Sequence, residues 1–182
     1  GERSIRSFSF IDPVFNLTAE RLDWLAETLA PYAARGLRLH TVEVDIERID
    51  DESAATLERA GVVSVETGPQ SVGAAALEAC HRAFDASRFV AGVAALKRRG
   101  ISVECDVIAG LPGDTPDDFI SGVEFVLSLA PGKVQTSTLH VLPGTELSRR
   151  AAELDLRFDP HPPPEIVSTP EIGFADLRRL EA

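Results

Sequence analysis

The sequence predicts an α/β fold built as an incomplete or closed (β/α) barrel, in preference to an open, doubly wound sheet. Five β-branched segments alternate with helical segments along the 182 residues, which favours parallel strands joined by right-handed crossovers. Polar residues recur near the ends of these predicted strands. Because ligand sites of such barrels lie at that edge, the same pattern predicts a binding pocket.

The segment Val103–Thr115, with the sequence VECDVIAGLPGDT, shows both features together. Its first half has the β-branched residues of a buried strand, and the GLPG turn ends that strand. Asp114 or Thr115 offers a helix N-cap, and Pro116 fits the first helical position. Asp106 lies inside the apolar strand, where an ionised carboxylate is costly unless a cation or a hydrogen-bond donor meets it. This conflict between pattern and chemistry marks Asp106 as a candidate functional residue.

The first half of the chain is predicted to hold three strands, each followed by a helix. Ser4–Ile11 alternates polar and apolar residues, as a half-buried strand does. Thr18 caps the following helix, which carries a leucine stripe and ends at Gly36. The next two strands are Leu37–Ile46 and Val62–Thr67, with a short helix between them.

The second half of the chain continues the same alternation. Its predicted strands are Ile101–Ala109 and Val134–Val141. The predicted helices are Ala74–Cys80, Ser87–Arg99, Pro116–Ala130, Glu146–Leu154 and Gly173–Glu181. Prolines cluster after residue 158, so residues 1–158 are assigned to the barrel and residues 159–182 to a proline-rich linker with a short C-terminal helix.

Composition argues against several classes of function. The net charge of −11 argues against a nucleic-acid surface, because phosphate contacts need clustered lysine and arginine. No run of about 18 apolar residues is present and no signal peptide opens the chain, so we expect no membrane partner. Cys80 and Cys105 are the only cysteines, which favours a cytoplasmic location, and the four histidines are scattered. We therefore predict no metal site within the chain and a small-molecule substrate as its partner.

Polar side chains at or near the predicted strand ends are expected to line one pocket. They are Asp12, Glu43, Glu66, Gln70, Asp106 and His140, with Arg82 on the following helix. Carboxylates that converge need a cationic partner, since otherwise their pKa values rise. Two structural alternatives stay open: Glu43 and Glu66 point outward and pair with arginine, or His140 is a satisfied core histidine.

Four motifs occur in order along the chain: FIDPVFN (Phe10–Asn16), ETGPQS (Glu66–Ser71), DVIAGLPGDT (Asp106–Thr115) and VLPGTEL (Val141–Leu147). Together they resemble radical S-adenosylmethionine (radical SAM) enzymes, over the chain up to about Thr169. The greatest similarity is to the branch with a cobalamin-binding domain, which includes anaerobic magnesium-protoporphyrin ester cyclase-like proteins and methyltransferases. The resemblance implies a partial (β/α) barrel of the radical SAM type in which about five parallel strands are present.

The resemblance also implies which residues bind the methionine end of SAM. Phe10 and Asp12 belong to the segment that meets the methionine amino group. Glu43 resembles an acidic residue of the family's third strand. Gln70 and Arg82 match the pair that holds the methionine moiety and its carboxylate.

At the adenosine end, Asp106 matches the strand acid near the ribose, and Ile108 would pack near the adenine. His140 and Leu142 would offer backbone groups to the edge of the adenine ring. All these residues are cofactor-binding assignments. The resemblance assigns no catalytic residue and no metal ligand within the chain.

The chain departs from the family at the iron–sulfur cluster. Radical SAM enzymes hold a 4Fe-4S cluster on a CxxxCxxC motif, which is absent here, and two cysteines cannot supply three thiolates. We therefore expect the first strand, the cluster loop and the cobalamin domain to lie upstream, and this chain alone to be inactive. Pro69 also stands where leucine is usual in the family.

If the first strand of the barrel lies upstream, the strand Ser4–Ile11 has an exposed edge in this chain, and we expect that edge to promote self-association.

The reaction implied for the complete enzyme is reductive cleavage of SAM to a deoxyadenosyl radical, as in oxidoreductases, or cobalamin-dependent methyl transfer. A tetrapyrrole-like substrate fits this branch. A different class of function is a metal-independent barrel lyase, with Asp106 or Glu43 as base and Arg82 holding a carboxylate substrate. A third is a degenerate barrel that acts as a non-catalytic scaffold, since fold does not imply function.

Overall fold

The structure of the chain, a computed structural model, describes residues 5–11 and 14–180. One sheet holds five parallel strands in their sequence order. They are β1 (Ser7–Phe8), β2 (Arg38–Glu43), β3 (Val62–Gln70), β4 (Ser102–Ala109) and β5 (Lys133–Thr138). The predicted α/β class with five parallel strands is confirmed.

Helices connect the strands, and a small antiparallel pair lies near the C-terminus. The helices are α1 (Ala19–Ala33), α2 (Asp51–Arg59), α3 (Ala74–Ala79), α4 (Ala86–Arg98), α5 (Pro116–Ser128), α6 (Glu146–Arg150) and α7 (Phe174–Leu180). The antiparallel pair consists of β6 (Arg157–Phe158) and β7 (Ile166–Ser168). None of the described helices has both the length and the apolar character needed to cross a bilayer.

Four of the five predicted strands end at a residue three positions from the predicted one, and among them β5 ends at Thr138 rather than at the predicted Val141. β2 ends before the predicted Ile46, because the Asp45 side chain accepts a hydrogen bond from the Glu47 amide (3.2 Å) and starts a 3-10 turn. β3 continues past its predicted end at Thr67. β1 is shorter than the predicted Ser4–Ile11, of which Ser4 lies outside the described residues.

The first of two compact units comprises residues 1–68, 85–105 and 129–133. Thr18 Oγ1 accepts a hydrogen bond from the Arg21 amide (3.1 Å) and caps α1, as predicted. The buried face of α1 packs against α2. In this unit β1 pairs with β2 and stands at the end of the strand order, so self-association through β1 stays a prediction.

The second compact unit comprises residues 69–84, 106–128 and 134–182. It contains the GLPG turn that follows β4. At the start of α5 the Thr115 amide donates to Asp118 Oδ2 (3.0 Å), and the Asp118 amide donates to Thr115 Oγ1 (3.1 Å). This reciprocal pair satisfies amides of the first helical turn, so Thr115 rather than Asp114 caps the helix.

The C-terminal tail contributes to the core of the second unit. Its Ile166 and Leu177 side chains are buried. Gly110 has a φ of +85°, and a Cβ there would lie 2.7 Å from Ile166 Cγ2, so the tail packs directly onto the GLPG turn. The Val141 amide donates to the Pro164 carbonyl (2.8 Å), which extends this contact along the backbone.

Candidate functional site

A cavity of about 260 Å³ in the second unit collects three of the predicted SAM-binding residues. Gln70 comes from the end of β3, Arg82 from the turn after α3, and Ile108 from β4. The wall therefore combines polar groups, among them the Gln70 amide and the guanidinium groups of Arg82 and Arg150, with apolar side chains, as small-molecule sites do. The other lining residues are Ala79, Cys80, His81, Leu111, Glu146, Leu147 and Arg150.

Two residues of the cavity wall have a left-handed backbone conformation. Gln70 has a φ of 63° and His81 a φ of 52°. Non-glycine residues rarely adopt this region, and holding one there costs on the order of 1–3 kcal/mol. Because such residues concentrate at ligand sites, the backbone at Gln70 and His81 supports a functional cavity.

β4 presents its predicted site residues on one face. Side chains alternate along a strand, so Asp106 and Ile108 share one face while Cys105 and Val107 share the other. The face of Cys105 and Val107 is buried, whereas Asp106 and Ile108 are half-buried. Ile108 lines the cavity, and Asp106 lies one alternation earlier on the same face. The assignment of Asp106 to the ribose stays a prediction.

His140 and Leu142 belong to the second unit but are not among the residues that line the cavity. His140 is exposed and forms an antiparallel bridge with Glu165 of the tail, so the alternative of a core histidine is wrong. The Val141 amide and the Leu139 carbonyl make the hydrogen bonds of this bridge, which points the backbone groups of His140 away from the tail. Backbone contacts of His140 and Leu142 with adenine stay a prediction.

The remaining predicted residues lie in the first unit or outside the described part of the chain. Asp12 is outside it. The Phe10 ring contacts the Phe15 ring, with centroids 5.3 Å apart. Glu43 is exposed and stands beside Glu66 in the parallel register of β2 and β3. Because side chains at one register position of neighbouring strands share a face, Glu43 and Glu66 lie on the same face of the sheet.

A cluster of polar contacts that the sequence did not reveal lies at the turn carrying Arg82. Arg150 of α6 donates to the Ala79 carbonyl at the end of α3 (3.1 Å). Glu146 Oε1 lies 3.2 Å from His81 Nε2 and 3.5 Å from Arg150 Nη1. These contacts tie α6 to the turn after α3 and so position Arg82 at the cavity. Glu146 lies within the VLPGTEL motif, whereas no local pattern marks His81 or Arg150.

The cysteines do not fit a 4Fe-4S cluster. Cys105 is buried on the apolar face of β4. Burial raises the pKa of the Cys80 thiol, which keeps it protonated at neutral pH. Among residues 5–11 and 14–180, no group of three or more His, Cys, Asp and Glu side chains is arranged to hold a metal ion.

Asp114 of the GLPGDT motif is fully buried. The Ser71 hydroxyl donates to Asp114 Oδ1 (2.7 Å), and the Gly73 amide donates to Ser71 Oγ (2.9 Å). Burial raises the pKa of Asp114 to about 6; the Ser71 hydrogen bond opposes this rise, and the Asp118 and Glu171 carboxylates reinforce it. The sequence indicated Asp114 only as an alternative helix cap, so its burial was not predicted.

Gly73→Ala is expected to destabilise the second unit by about 1–3 kcal/mol, because overpacking a dense site forces side-chain and backbone shifts. A Cβ at Gly73 would lie 2.7 Å from Asp114 Oδ1 and 3.0 Å from Asp118 Cγ. Urea unfolding measures the change. Gly173→Ala is the matched control, since its Cβ would make only an ordinary contact, 3.6 Å from Asp176 Oδ2. Equal stability of the two variants would contradict the close approach at Gly73.

Comparisons with known proteins agree with the motifs and the geometry. Residues 5–126 match the family model of the Radical SAM superfamily. The heme chaperone HemW of Mycobacterium tuberculosis is 30% identical over 117 residues, which cover 64% of this chain and 30% of that protein.

Solved structures share the fold. The radical S-adenosylmethionine methyltransferase TsrM from Kitasatospora setae, with cobalamin and a 4Fe-4S cluster bound, covers 97% of this chain with a TM-score of 0.74 and 20% identity. Coproporphyrinogen III oxidase (HemN) from Escherichia coli, a radical SAM enzyme, covers 90% of it with a TM-score of 0.65 and 19% identity. The matched parts are 38% and 36% of those chains, so this chain spans about a third of the length of the relatives it matches. The five-stranded sheet corresponds to the partial barrel of these structures, and the chain belongs to the radical SAM superfamily.

Proposed function

We propose that this chain is the part of a radical SAM enzyme that binds S-adenosylmethionine. The observation that carries the proposal is the meeting of Gln70, Arg82 and Ile108 at one cavity of the second unit. The motif resemblance assigns the same three residues to SAM. Two independent lines, motif and cavity, therefore support the same ligand.

The residues of the cavity wall match the chemistry of the methionine end of SAM. A guanidinium pairs with a carboxylate through two parallel hydrogen bonds, so Arg82 would hold the methionine carboxylate. The Gln70 amide both donates and accepts hydrogen bonds and would bind the same moiety. Ile108 and Leu111 add apolar surface. A volume of about 260 Å³ is just below the roughly 300–1,000 Å³ of whole-ligand pockets, which supports occupation by part of SAM.

We propose that the cluster ligands and any cobalamin site come from outside these 182 residues, because the two cysteines cannot supply three thiolates. With SAM and a cluster bound, the chemistry supplied is radical formation or methyl transfer. The chain's own residues would bind and orient SAM, and the chain alone would be inactive. The motif resemblance supports the cobalamin-dependent branch, and the similarity to a heme chaperone is compatible with a tetrapyrrole-like substrate.

Family membership favours this function over the lyase alternative. A lyase would need Asp106 or Glu43 as a base beside a carboxylate held by Arg82. Neither acid is among the residues that line the cavity with Arg82. The family match over residues 5–126 supplies a ligand that explains the Arg82 site without a base.

Arg82→Gln is expected to weaken binding of S-adenosylhomocysteine about tenfold or more, because hydrogen bonds to charged groups contribute about 1.5–3 kcal/mol. Isothermal titration calorimetry on the full chain measures the affinity. Arg157→Gln is the matched control, since Arg157 is exposed on β6 and does not line the cavity. Equal affinities of the two variants would contradict the role of Arg82, and no binding by the unsubstituted chain would contradict the proposed function.

A further inference from the structure

The second unit contains a buried acid that the proposed function does not use. Asp114 has no exposed surface, and its Oδ2 atom has no hydrogen-bond partner among the described residues. Burying an ionisable group is costly unless its polar atoms are satisfied. Such an orphaned atom in a well-packed turn points to a role beyond packing.

Asp114, in the turn after β4, is hydrogen-bonded to the chain segment between Gln70 and Arg82, two residues of the cavity wall. Its Oδ1 accepts the Ser71 hydroxyl (2.7 Å), and Ser71 Oγ accepts the Gly73 amide (2.9 Å). Ser71 directly follows Gln70, whose φ of 63° must be enforced by its surroundings. Gly73 starts α3, which leads to Arg82. The carboxylate therefore holds the stretch of chain that places both polar residues of the cavity.

The backbone approaches this carboxylate too closely for any side chain at residue 73. A Cβ on Gly73 would lie 2.7 Å from Asp114 Oδ1, and a Cβ on Gly113 would lie 3.0 Å from the Ala75 carbonyl carbon. The turn after β4 therefore packs directly against the first residues of α3. Charge-assisted hydrogen bonds are roughly twice as strong as neutral ones, so an ionised Asp114 holds Ser71 more firmly than a protonated one.

We propose that Asp114 is a positioning residue for the cavity: its ionised carboxylate holds Ser71, and with it the backbone of Gln70, so that protonation of Asp114 weakens ligand binding. The inference rests on the proposed function, because it assigns Asp114 an effect on the ligand of that cavity.

The groups that face Asp114 set the pH at which it titrates. Burial has the largest effect and raises the pKa to about 6; Ser71 lowers it, while Asp118 of α5 and Glu171 of the tail raise it. Cys80 at the end of α3 also senses the charge of Asp114. The proton therefore exchanges close to neutral pH.

Stability and ligand affinity are expected to respond to this proton in opposite directions. The pKa of Asp114 in the fold lies above its ordinary value of 3.8, so protonation favours the folded state, and this contribution is lost as the pH rises through about 6. Affinity, by contrast, rises as the carboxylate ionises and tightens on Ser71. If Asp114 only stabilised the fold, its protonation would change the stability and leave the ligand affinity unchanged.

The test compares the unsubstituted chain with Asp114→Asn, which is isosteric and permanently neutral, between about pH 5 and pH 8. S-adenosylhomocysteine is the probe, and nitrogen-15 NMR follows its binding. We expect the affinity of the unsubstituted chain to fall about tenfold across this range as the pH is lowered, because a charge-assisted hydrogen bond is replaced by a neutral one. Asp114→Asn should show the low affinity at every pH. Relative to Asp114→Asn, the unsubstituted chain should gain stability as the pH falls.

Two comparisons separate the effect of Asp114 from other effects of pH on the cavity. Asp114→Asn keeps every ionisable side chain of the cavity wall, so a pH dependence that this variant loses is due to Asp114. In NMR spectra recorded without ligand, the amide chemical shifts of Gln70 and Gly73 should change with pH in the unsubstituted chain, with an apparent pKa near 6. In Asp114→Asn they should not change. Unresponsive amides, or a pH-dependent affinity that persists in Asp114→Asn, overturn the proposal. Responsive amides without probe binding at any pH overturn the proposed function instead.

Discussion

Leu177→Ala is expected to lower the free energy of unfolding of the second unit by about 2–5 kcal/mol, the usual cost of truncating a buried leucine. Leu177 is 1% exposed in α7. Its Cδ2 atom would lie 3.2 Å from a Cβ at Gly110, which places it against the GLPG turn. The truncation would leave a cavity where the tail meets this turn.

Amide hydrogen exchange at Val107 and Leu139 measures this effect within the second unit. Tryptophan fluorescence does not report on it, because Trp24, the only tryptophan, is exposed in the first unit. Phe174→Ala is the matched control in the same helix: Phe174 is 59% exposed, and surface substitutions usually change stability by less than about 0.5 kcal/mol. Similar small changes in both variants would indicate that the tail is only a linker.

The fold was predictable where burial is periodic within a single element. In β4, buried Val103, Cys105 and Val107 alternate with less buried residues, so the signal lies in the strand itself. At β3 the local signals misled, because Gly68 and Pro69 usually end a strand. The strand continues through both, since pairing in the sheet outweighs local turn preference.

The tail was not predictable for a different reason. Its prolines resemble a linker, and its apolar residues show no strong period. Ile166 and Leu177 become core residues only because the GLPG turn, far away in the sequence, offers Gly110 as a surface without a side chain. Packing between segments so far apart in the sequence produces no periodicity within either segment.

The residues of the candidate site also divide into those that the sequence predicted and those that only the structure shows. Gln70, Arg82 and Ile108 were identified from motif resemblance, and the structure brings them to one cavity. Asp114 and Arg150 act through partners 43 and 71 residues away in the sequence. No spacing rule connects positions so far apart, so their contributions emerge only from the packed structure.

Reconstitution of this chain with iron and sulfide is expected to give no stoichiometric 4Fe-4S cluster. The family's cluster needs three thiolates, and the chain has two cysteines. Cys105 is fully buried among apolar side chains, so it could bind iron only if β4 opened. Burial raises the pKa of Cys80, and metal binding would have to remove its proton against that shift.

The measurement is iron and sulfide per chain after desalting, together with the visible absorbance of the cluster. The double variant Cys80→Ala, Cys105→Ala is the matched control, and a ferredoxin carried through the same procedure shows that the reconstitution works. We expect the chain and its double variant to retain equally little iron, because neither thiol is positioned as a ligand. One cluster per chain that disappears in the double variant would show that these two cysteines do ligate iron, and would remove the reason for placing the cluster ligands elsewhere.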